Sequence, residues 1–467
     1  MANYMPPLMF AGLVFFMLMG FPVAFSISAV GLLFGFLSIE LGLFTFAYLE
    51  NLPFRLFGIL SNDLLLAIPF FTFMGMILER CQLAEDLLEA TGQAFGAIPG
   101  GLAYAVIIVG AVLGAITGTV AASVIAMGMM SLPIMLRYGY SPRMATGVIA
   151  ASGTITQLIP PSLVLVVLAD QLGRSVGDMY LGAIGPSILQ VALFILYVFV
   201  LSIVKPKSMP PLPPEARTLK GWPLVWRVIA GMVPALGLIF LVLGTIFVGL
   251  ATPTEAGAMG AVGAMLLAAA RRRLTLKLTW EAMQATMRLT AMVVFILVGS
   301  TVFSLVFYGV DGAHWLEGLL ANLPGGATGF LILVCIFVFF LAFFLDFFEI
   351  AFIIVPLLAP VASKLGIDLI WFGVLLSIVL QTAFMHPPFG FALFYVRGIA
   401  PPSVKSKDIY LGAILWLCLQ LALAAVVIFW PESVTYWLDP VVDVDLNSIQ
   451  IDIPTGGFEN QAPPDFK

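Results

Sequence analysis

The sequence predicts an all-α membrane protein made of two inverted-topology repeats, each with five crossings, one re-entrant helical hairpin and one helix broken at Pro-Pro. Of its 467 residues, 61% are hydrophobic and only 10% are charged, whereas a soluble chain carries about 25% charged residues. Stretches such as 180–204, 234–250 and 411–430 approach or reach the ~20 apolar residues that cross a bilayer. Short motifs of the first half also recur in the second half, in the same order.

Four pairs of motifs indicate the repeat. Chance could produce one such pair, but four pairs in the same order along the chain indicate two copies of one unit. The pairs are 178–184 with 408–414, Pro160-Pro161 with Pro387-Pro388, 99–101 with 324–326, and Pro133 with Pro356.

The repeat divides the chain into four parts. The first repeat is predicted at 1–204, a Pro-rich cytoplasmic linker at 205–226, the second repeat at 227–431, and an acidic tail outside the membrane at 432–467. Apolar segments are expected at about 8–21, 22–39 and 63–79 in the first copy, and at about 227–250, 253–270 and 286–308 in the second. The re-entrant hairpins are expected at about 101–136 and 327–363.

The basic residues predict the orientation. An odd number of crossings per copy turns the second copy upside down relative to the first. With the N-terminus outside, only Arg55, Arg174, Lys364 and Lys467 of the 20 Lys and Arg residues lie outside. This is a positive-inside distribution, and it places both termini outside the cytoplasm.

Several classes of function are excluded by what the residues offer. The three cysteines lie far apart in or beside apolar segments and form no CxxC pair, so they are interpreted as small hydrophobic residues. Two histidines cannot make a His-rich metal site. The absence of a Walker loop and of a long basic arm speaks against ATP hydrolysis and against nucleic-acid binding. No cofactor is expected beyond a coupling ion.

Interrupted helices near the middle of the membrane indicate a secondary transporter's site. A broken helix frees N–H groups that can hold an anion and carbonyl groups that can hold a cation. In the first copy, hydroxyl groups gather at the hairpin tip and at the Pro-Pro break, and such hard oxygen ligands suit sodium better than a transition metal. The first sodium site is predicted from Thr117, Thr119, Ser123, Gly153, Thr154 and Thr156, with Gln157, Pro160 and Pro161 assigned to the substrate.

The second copy places ionisable residues at the equivalent positions. Asp346 and Glu349 are flanked by apolar residues, and such buried charges in a membrane are functional by default. The second sodium site is predicted from Asp346, Gln381, Thr382, Met385 and His386, with Glu349, His386, Pro387 and Pro388 assigned to the substrate.

Each of these features also has a structural interpretation. Thr and small-residue clusters pack transmembrane helices. A Pro-Pro pair can simply kink a helix, and a lone histidine can be a satisfied core residue. Asp346 and Glu349 can lie at the interface or make a neutralising contact within the protein.

The same residues resemble a known family, the large membrane subunit of the tripartite ATP-independent periplasmic (TRAP) transporters, over residues of about 5–435. The motifs that are similar are 68–75, 117–123, 158–162, 251–256, 344–346 and 386–390. The resemblance implies a bacterial inner-membrane protein with a mobile elevator domain inside a fixed scaffold, and sodium at both clusters. It also implies a small four-helix membrane (Q) subunit and a periplasmic substrate-binding (P) protein as partners, besides membrane lipid.

Two positions depart from the family pattern. Many members carry Ser-Gly-Ser where this chain has 117–119, and many carry Thr where this chain has His386. The segments 344–350 and 385–395 are similar to the branch that is associated with 2-oxo acids, lactate and related monocarboxylates. Substrate choice in this family rests largely on the delivery protein.

Three other classes of function stay open at the level of sequence. A channel would need a continuous pore, which two inverted halves with broken helices fit less well than alternating access. A membrane-embedded enzyme would need a nucleophile and a base, which is not evident among the deep residues. A structural scaffold would leave the buried charges unexplained. Sodium-driven uptake of a small carboxylate is therefore the predicted function.

Overall fold

The computed structural model describes residues 4–81, 83–320, 323–387 and 390–438. The helices of the first half are α1 (Met5–Leu18), α2 (Val23–Glu40), α3 (Phe46–Leu49), α4 (Leu52–Leu60), α5 (Leu64–Arg80), α6 (Leu83–Phe95), α7 (Gly101–Thr117), α8 (Val120–Arg137), α9 (Pro142–Thr154), α10 (Leu163–Leu172) and α11 (Val176–Val204). Those of the second half are α12 (Trp222–Phe247), α13 (Pro253–Ala270), α14 (Leu276–Gly309), α15 (Gly312–Leu320), α16 (Gly326–Leu341), α17 (Phe347–Glu349), α18 (Val355–Lys364), α19 (Leu369–Gln381), α20 (Phe391–Ile399), α21 (Ser406–Phe429) and α22 (Glu432–Thr435).

The described residues contain helices and no strand, which confirms the predicted all-α class. Six of these helices, and the continuous arm Phe347–Lys364 that contains α17 and α18, are long and apolar enough to cross a membrane. The described residues thus have seven such stretches, or eight if the bent pair Phe46–Leu60 and Leu64–Arg80 is one span. Several shorter apolar helices, including α10 and α16, belong to the interrupted segments. The prediction of five crossings in each copy is not decided by helix length, because a broken crossing contains two short helices.

The two halves pack on each other through exchanged pairs of helices. α2 of the first half packs against α14 of the second half, and α13 of the second half packs against α5 of the first half. Such reciprocal pairing is what two copies related by a two-fold axis would give. The inverted orientation of the copies itself stays a prediction.

The first hairpin, α7 and α8, breaks at Gly118, whose φ of +61° lies in the left-handed region. Thr119 is extended there and begins α8 as its N-cap residue. In the second hairpin, α16 ends at Leu341, and Asp346 is the extended N-cap of the returning arm. Both hairpins lie within a residue of their predicted limits. The break residues Thr119 and Asp346 thus hold equivalent places, as the repeat predicts.

The returning arm of the second hairpin is an irregular helix. It contains a π-helical turn at Ile350–Ile354 between α17 and α18. Pro356 and Pro360 have no N–H, so each leaves the carbonyl four residues earlier without its helical bond. Both carbonyls are bonded from α14 instead: Ser300 donates to the Phe352 carbonyl, and Tyr308 donates to the Pro356 carbonyl.

Two boundaries differ from the sequence predictions. The helices α3 and α4 precede α5 where no helix was expected, and α4 makes an angle of 45° with α5. The corresponding stretch of the second copy is the single long helix α14. The helix α12 begins at Trp222, inside the predicted linker. Gly221, with a φ of +64°, ends the linker there, and Pro223 suits the first helical turn. The predicted tail beyond residue 438 lies outside the described residues.

The inverted orientation can be tested by labelling single cysteines in a variant lacking Cys81, Cys335 and Cys418. We expect Arg137→Cys to react only with reagent on the cytoplasmic side and Ser363→Cys only with reagent on the outer side. Both positions are exposed, and Ser363 is preferred to its neighbour Lys364 because Lys364 bonds Glu317. A membrane-impermeant maleimide applied to intact cells and to inverted vesicles provides the measurement. Labelling of both positions from one side would refute the inverted repeat.

Candidate ion and substrate site

The first hairpin tip and the first helix break lie against each other. A Cβ added at Gly153 would lie 2.2 Å from the Val124 Cγ2 atom and 3.1 Å from the Val124 backbone nitrogen, so α9 touches the first turn of α8. A Cβ at Gly114 would lie 3.0 Å from the Thr156 Cα atom, which brings α7 to the same break. The structure therefore brings Gly153 and Thr156 of the predicted first sodium site against the two arms of the first hairpin.

The hydroxyl groups of this first cluster are buried and differ in their bonding. Thr154 Oγ1 donates to the Ala151 carbonyl at 2.8 Å, and Thr156 Oγ1 donates to the Gly153 carbonyl at 3.1 Å. Because each of these two hydroxyl groups donates its proton to a carbonyl, its free lone pairs can only accept a hydrogen bond or bind a cation. Thr119 Oγ1 is buried and has no partner within the described residues.

Three further predicted residues remain, two of the first cluster and one of the second break. Ser123, of the first cluster, is fully buried one turn into α8. The side chain of Thr117, predicted as a sodium ligand, and residue Pro388, predicted as a substrate contact, lie outside the described part of the chain.

The two broken helices meet at Gln157, in the 3-10 turn Ile155–Gln157. Its carbonyl oxygen accepts from Ser162 Oγ at 2.6 Å, and from Ser377 Oγ of α19 at 3.3 Å. Its side-chain oxygen is buried without a partner among the described residues. Pro160 and Pro161, which follow, are buried as well. The predicted substrate residues of the first copy thus lie at the first break, where it packs against α19, the helix that leads to the second break.

At the second tip, Asp346 and Glu349 form a reciprocal N-terminal cap. The Glu349 backbone nitrogen donates to Asp346 Oδ1 at 3.0 Å, and the Asp346 backbone nitrogen donates to Glu349 Oε2 at 2.9 Å. This capping box gives both carboxylates a structural role beside any ionic one. Both residues also line a cavity of about 280 Å³ with the aromatic residues Phe343, Phe344, Phe384, Phe391 and Phe394.

The remaining residues of the predicted second sodium site are packed behind this cavity. Gln381, Thr382 and Met385 are fully buried, and none of them lines the cavity, although Ala383 and Phe384 between them do. Thr382 Oγ1 donates to the Val379 carbonyl at 2.5 Å, which repeats the bond from Thr154 to Ala151. Neither polar atom of the Gln381 amide has a partner in the part of the chain that the structure describes.

His386 occupies an aromatic environment. Its ring stacks on Phe343 at 4.3 Å between centroids and meets the edge of Phe339 at 4.2 Å. The residue is fully buried, and neither ring nitrogen has a partner within the described residues. His386 is not on the cavity wall in this structure, because Phe339 of α16 and Phe343, which follows that helix, cover its ring. Pro387, which follows, is only half-buried.

Four buried polar residues near the breaks were not singled out from the sequence. They are Ser152, whose hydroxyl lacks a partner among the described residues, together with Ser377, Gln190 and Gln420. The two glutamines could have been recognised from the sequence, since an amide inside a long apolar helix is unusual and the two occupy equivalent places in the repeat. The capping box was also readable, because Asp346-Phe-Phe-Glu349 has the spacing of that motif.

An all-helical membrane protein whose two halves each contain a hairpin and a broken helix, with polar groups at the breaks, defines the class of secondary transporters. Comparison with known proteins identifies the family. Residues 10–433 match the model of the tripartite ATP-independent periplasmic transporter, DctM component. The chain belongs to this family of transporter permeases. It is therefore a multi-pass membrane component of a transporter and not an enzyme, in agreement with the sequence predictions.

Similar proteins cover nearly the whole chain. The C4-dicarboxylate TRAP transporter large permease protein DctM of Pseudomonas aeruginosa is 28% identical, over 82% of this chain and 88% of that protein. The sialic acid TRAP transporter large permease protein SiaM of Vibrio cholerae is 29% identical, over 87% of this chain and 93% of that protein. The crystal structure of the YdaH transporter of Alcanivorax borkumensis has a similar fold, with a TM-score of 0.54 and 17% identity over 82% of this chain and 89% of that one.

Proposed function

We propose that this protein carries out sodium-coupled secondary uptake of a small organic anion across the bacterial inner membrane. The single observation that carries the proposal is the pair of clusters at the helix breaks, one of hydroxyl groups and one containing two carboxylates. Both offer uncharged or anionic oxygen atoms, the ligands that suit a hard cation such as sodium. The described residues contain no group of His, Cys, Asp and Glu that would suit a transition metal.

The charges of the second cluster give a physical reason for coupling. Asp346 and Glu349 line the cavity at the tip, so an organic anion entering it would approach two carboxylates. Like charges at close range disfavour each other, especially away from water. A bound sodium ion would offset that repulsion, and the anion would then bind well only together with the cation. Binding of one ligand would assist the other by the same factor.

The proposed substrate is a small carboxylate, such as a 2-oxo acid or another monocarboxylate. The cavity of about 280 Å³ has the size for a small molecule and walls that are mainly aromatic. Similar proteins are named for C4-dicarboxylate, for sialic acid, and for 2,3-diketo-L-gulonate. Their variety supports the proposal that a delivery protein contributes strongly to the choice of substrate.

The proposal includes partners and an orientation. A small membrane subunit and a periplasmic substrate-binding protein would complete the transporter, and both termini would face the periplasm. An isethionate transporter relative is named a DctMQ permease, and this chain matches 62% of its length, which supports a partner of the Q type. Movement would follow an elevator mechanism, in which the hairpins and broken helices shift within a fixed scaffold.

The proposal is tested by uptake into proteoliposomes that contain both membrane subunits, with the binding protein supplied outside. Radiolabelled pyruvate, lactate and succinate are the substrate probes. We expect the substrate to accumulate above its external concentration when an inward sodium gradient is imposed. An interior-negative potential should increase this accumulation, since one net positive charge entering gains about 2.3 kcal/mol per 100 mV. Replacement of sodium by choline at constant pH should abolish accumulation. Equal uptake in choline would refute sodium coupling, and equilibration without accumulation would favour a channel.

A further inference from the structure

Two buried glutamines lie beside the helix breaks without belonging to the clusters described so far. Gln190 on α11 and Gln420 on α21 are both fully buried. They are as far apart along the chain as Asp178 and Asp408, the first residues of the longest repeated motif, so they hold equivalent positions in the two copies. A buried amide needs partners, because an unpaired polar group is costly away from water.

Gln420 has its partner at the first break. Its Nε2 atom donates to Thr154 Oγ1 at 2.8 Å, and that hydroxyl in turn donates to the Ala151 carbonyl at 2.8 Å. The proton and one lone pair of the hydroxyl are therefore used. One lone pair is left for a cation, and the bond from Gln420 fixes the direction in which it points.

The pairing of the helices that carry the two glutamines is only partly repeated. On α21, a Cβ added at Gly412 would lie 2.3 Å from the Arg143 carbonyl oxygen, at the start of α9. The equivalent Gly182 on α11 packs at the start of α19, with its Cβ 3.0 Å from the Ile370 Cγ2 atom. Three residues before Gln190, however, Ser187 Oγ donates to the Leu158 carbonyl at 3.2 Å, so α11 lies against the first break there.

The two copies differ in what their glutamines bond. Neither polar atom of the Gln190 amide has a partner within the described residues, and the same holds for Gln381, the neighbour of Thr382. Thr382 already donates to the Val379 carbonyl, so its lone pairs can accept a bond from an amide. A glutamine thus orients Thr154 at the first break in this structure, whereas no glutamine bonds Thr382 among the described residues.

We propose that Gln420 is a positioning residue that orients the Thr154 hydroxyl toward a bound cation. This role rests on the proposed sodium coupling and adds a specific residue to the first ion cluster. The glutamine does not touch the ion. It acts by fixing the direction of the hydroxyl lone pair that does.

The test is a double-mutant cycle read through sodium binding alone. The full chain, purified with its small membrane partner, is unfolded thermally at increasing sodium chloride, with choline chloride as the salt control. The sodium concentration giving half of the sodium-induced rise in Tm is the readout, because a ligand of the folded state raises Tm by mass action. The variants are Gln420→Leu, Thr154→Val and their combination.

We expect Gln420→Leu to raise the half-saturating sodium concentration about five-fold, as the loss of one neutral hydrogen bond would. In the background that lacks the threonine hydroxyl, the same replacement should change it less than two-fold, since the group it orients is gone. Leu423→Ala, a fully buried apolar change on α21, should lower Tm without changing the half-saturating concentration.

Equal effects of Gln420→Leu with and without the threonine hydroxyl would overturn the positioning role. That result is distinct from a failure of the proposed function itself. If the unmodified protein shows no sodium-induced rise in Tm beyond that in choline, the sodium coupling is refuted, and the positioning role is refuted with it. A normal sodium response with additive variants refutes the positioning role alone.

Discussion

Replacement of Asp346 by Asn should raise the sodium concentration for half-maximal uptake by about thirty-fold, at little cost in folding. Asn caps helices about as well as Asp, so the bond from the Glu349 nitrogen to the side-chain oxygen is retained. Only the charge is removed. A bond to a charged group contributes on the order of 2 kcal/mol, which corresponds to roughly a thirty-fold change in affinity. Uptake into proteoliposomes at varied sodium and fixed substrate measures this change.

Two comparison variants make the result specific. Asp368 caps α19 through a bond from the Trp371 nitrogen at 2.8 Å, so Asp368→Asn is the same chemical change at a cap outside the site. We expect it to leave sodium activation unchanged. His386→Thr should alter the substrate KM while leaving sodium activation nearly intact, since the ring packs between Phe339 and Phe343 behind the cavity. If His386→Thr shifts sodium activation as far as Asp346→Asn does, both residues belong to one ion site.

Replacement of Gly153 by Ala should reduce uptake about a hundred-fold. The new Cβ would lie 2.2 Å from the Val124 Cγ2 atom, which is far inside van der Waals contact. The first break and the first tip would have to separate, and a shift of about 1 Å in a binding constellation can cost a factor of about a hundred. Initial uptake rate, normalised to the amount of protein in the vesicles, is the measurement.

The matched controls use the same contact. Removing the two methyl groups in Val124→Ala relieves the closest approach, so Val124→Ala combined with Gly153→Ala should regain part of the lost uptake. At Gly58, in the interior of α4, a Cβ would meet nothing within 4 Å, so Gly58→Ala should transport normally. Full activity of Gly153→Ala would show that the close approach of α9 to α8 is not needed for transport.

The sequence predicted the breaks better than it predicted the environments around them. Gly118 and the two Pro-Pro pairs are local signals, because glycine permits a positive φ and proline removes a backbone donor. Asp346 was recognisable because a charge between apolar residues is costly in a membrane. These features depend on a few neighbouring residues, and the structure interrupts its helices at Gly118, at Pro160-Pro161 and before Asp346.

What could not be predicted depends on contacts between distant segments. The position of His386 is set by Phe339 and Phe343, which lie more than forty residues earlier in the chain. The bond from Gln420 to Thr154 joins the two halves of the protein. The stretch of the second copy that corresponds to α3, α4 and α5 is the continuous helix α14, so the repeat did not indicate the bend between α4 and α5. A local sequence pattern does not specify which side chains from distant parts of the chain contact each other.

The irregular arm of the second hairpin bears on how it can move. Pro356 and Pro360 release two carbonyl groups, and Ser300 and Tyr308 of α14 bond both of them. A hairpin that slid gradually along α14 would strand both oxygens in a dry interface, at several kcal/mol for each. Displacement of this arm past α14 therefore has to proceed as a jump between bonded positions, with the two bonds exchanged together. The prolines thereby restrict the arm to those positions along α14 at which both released carbonyl groups are bonded.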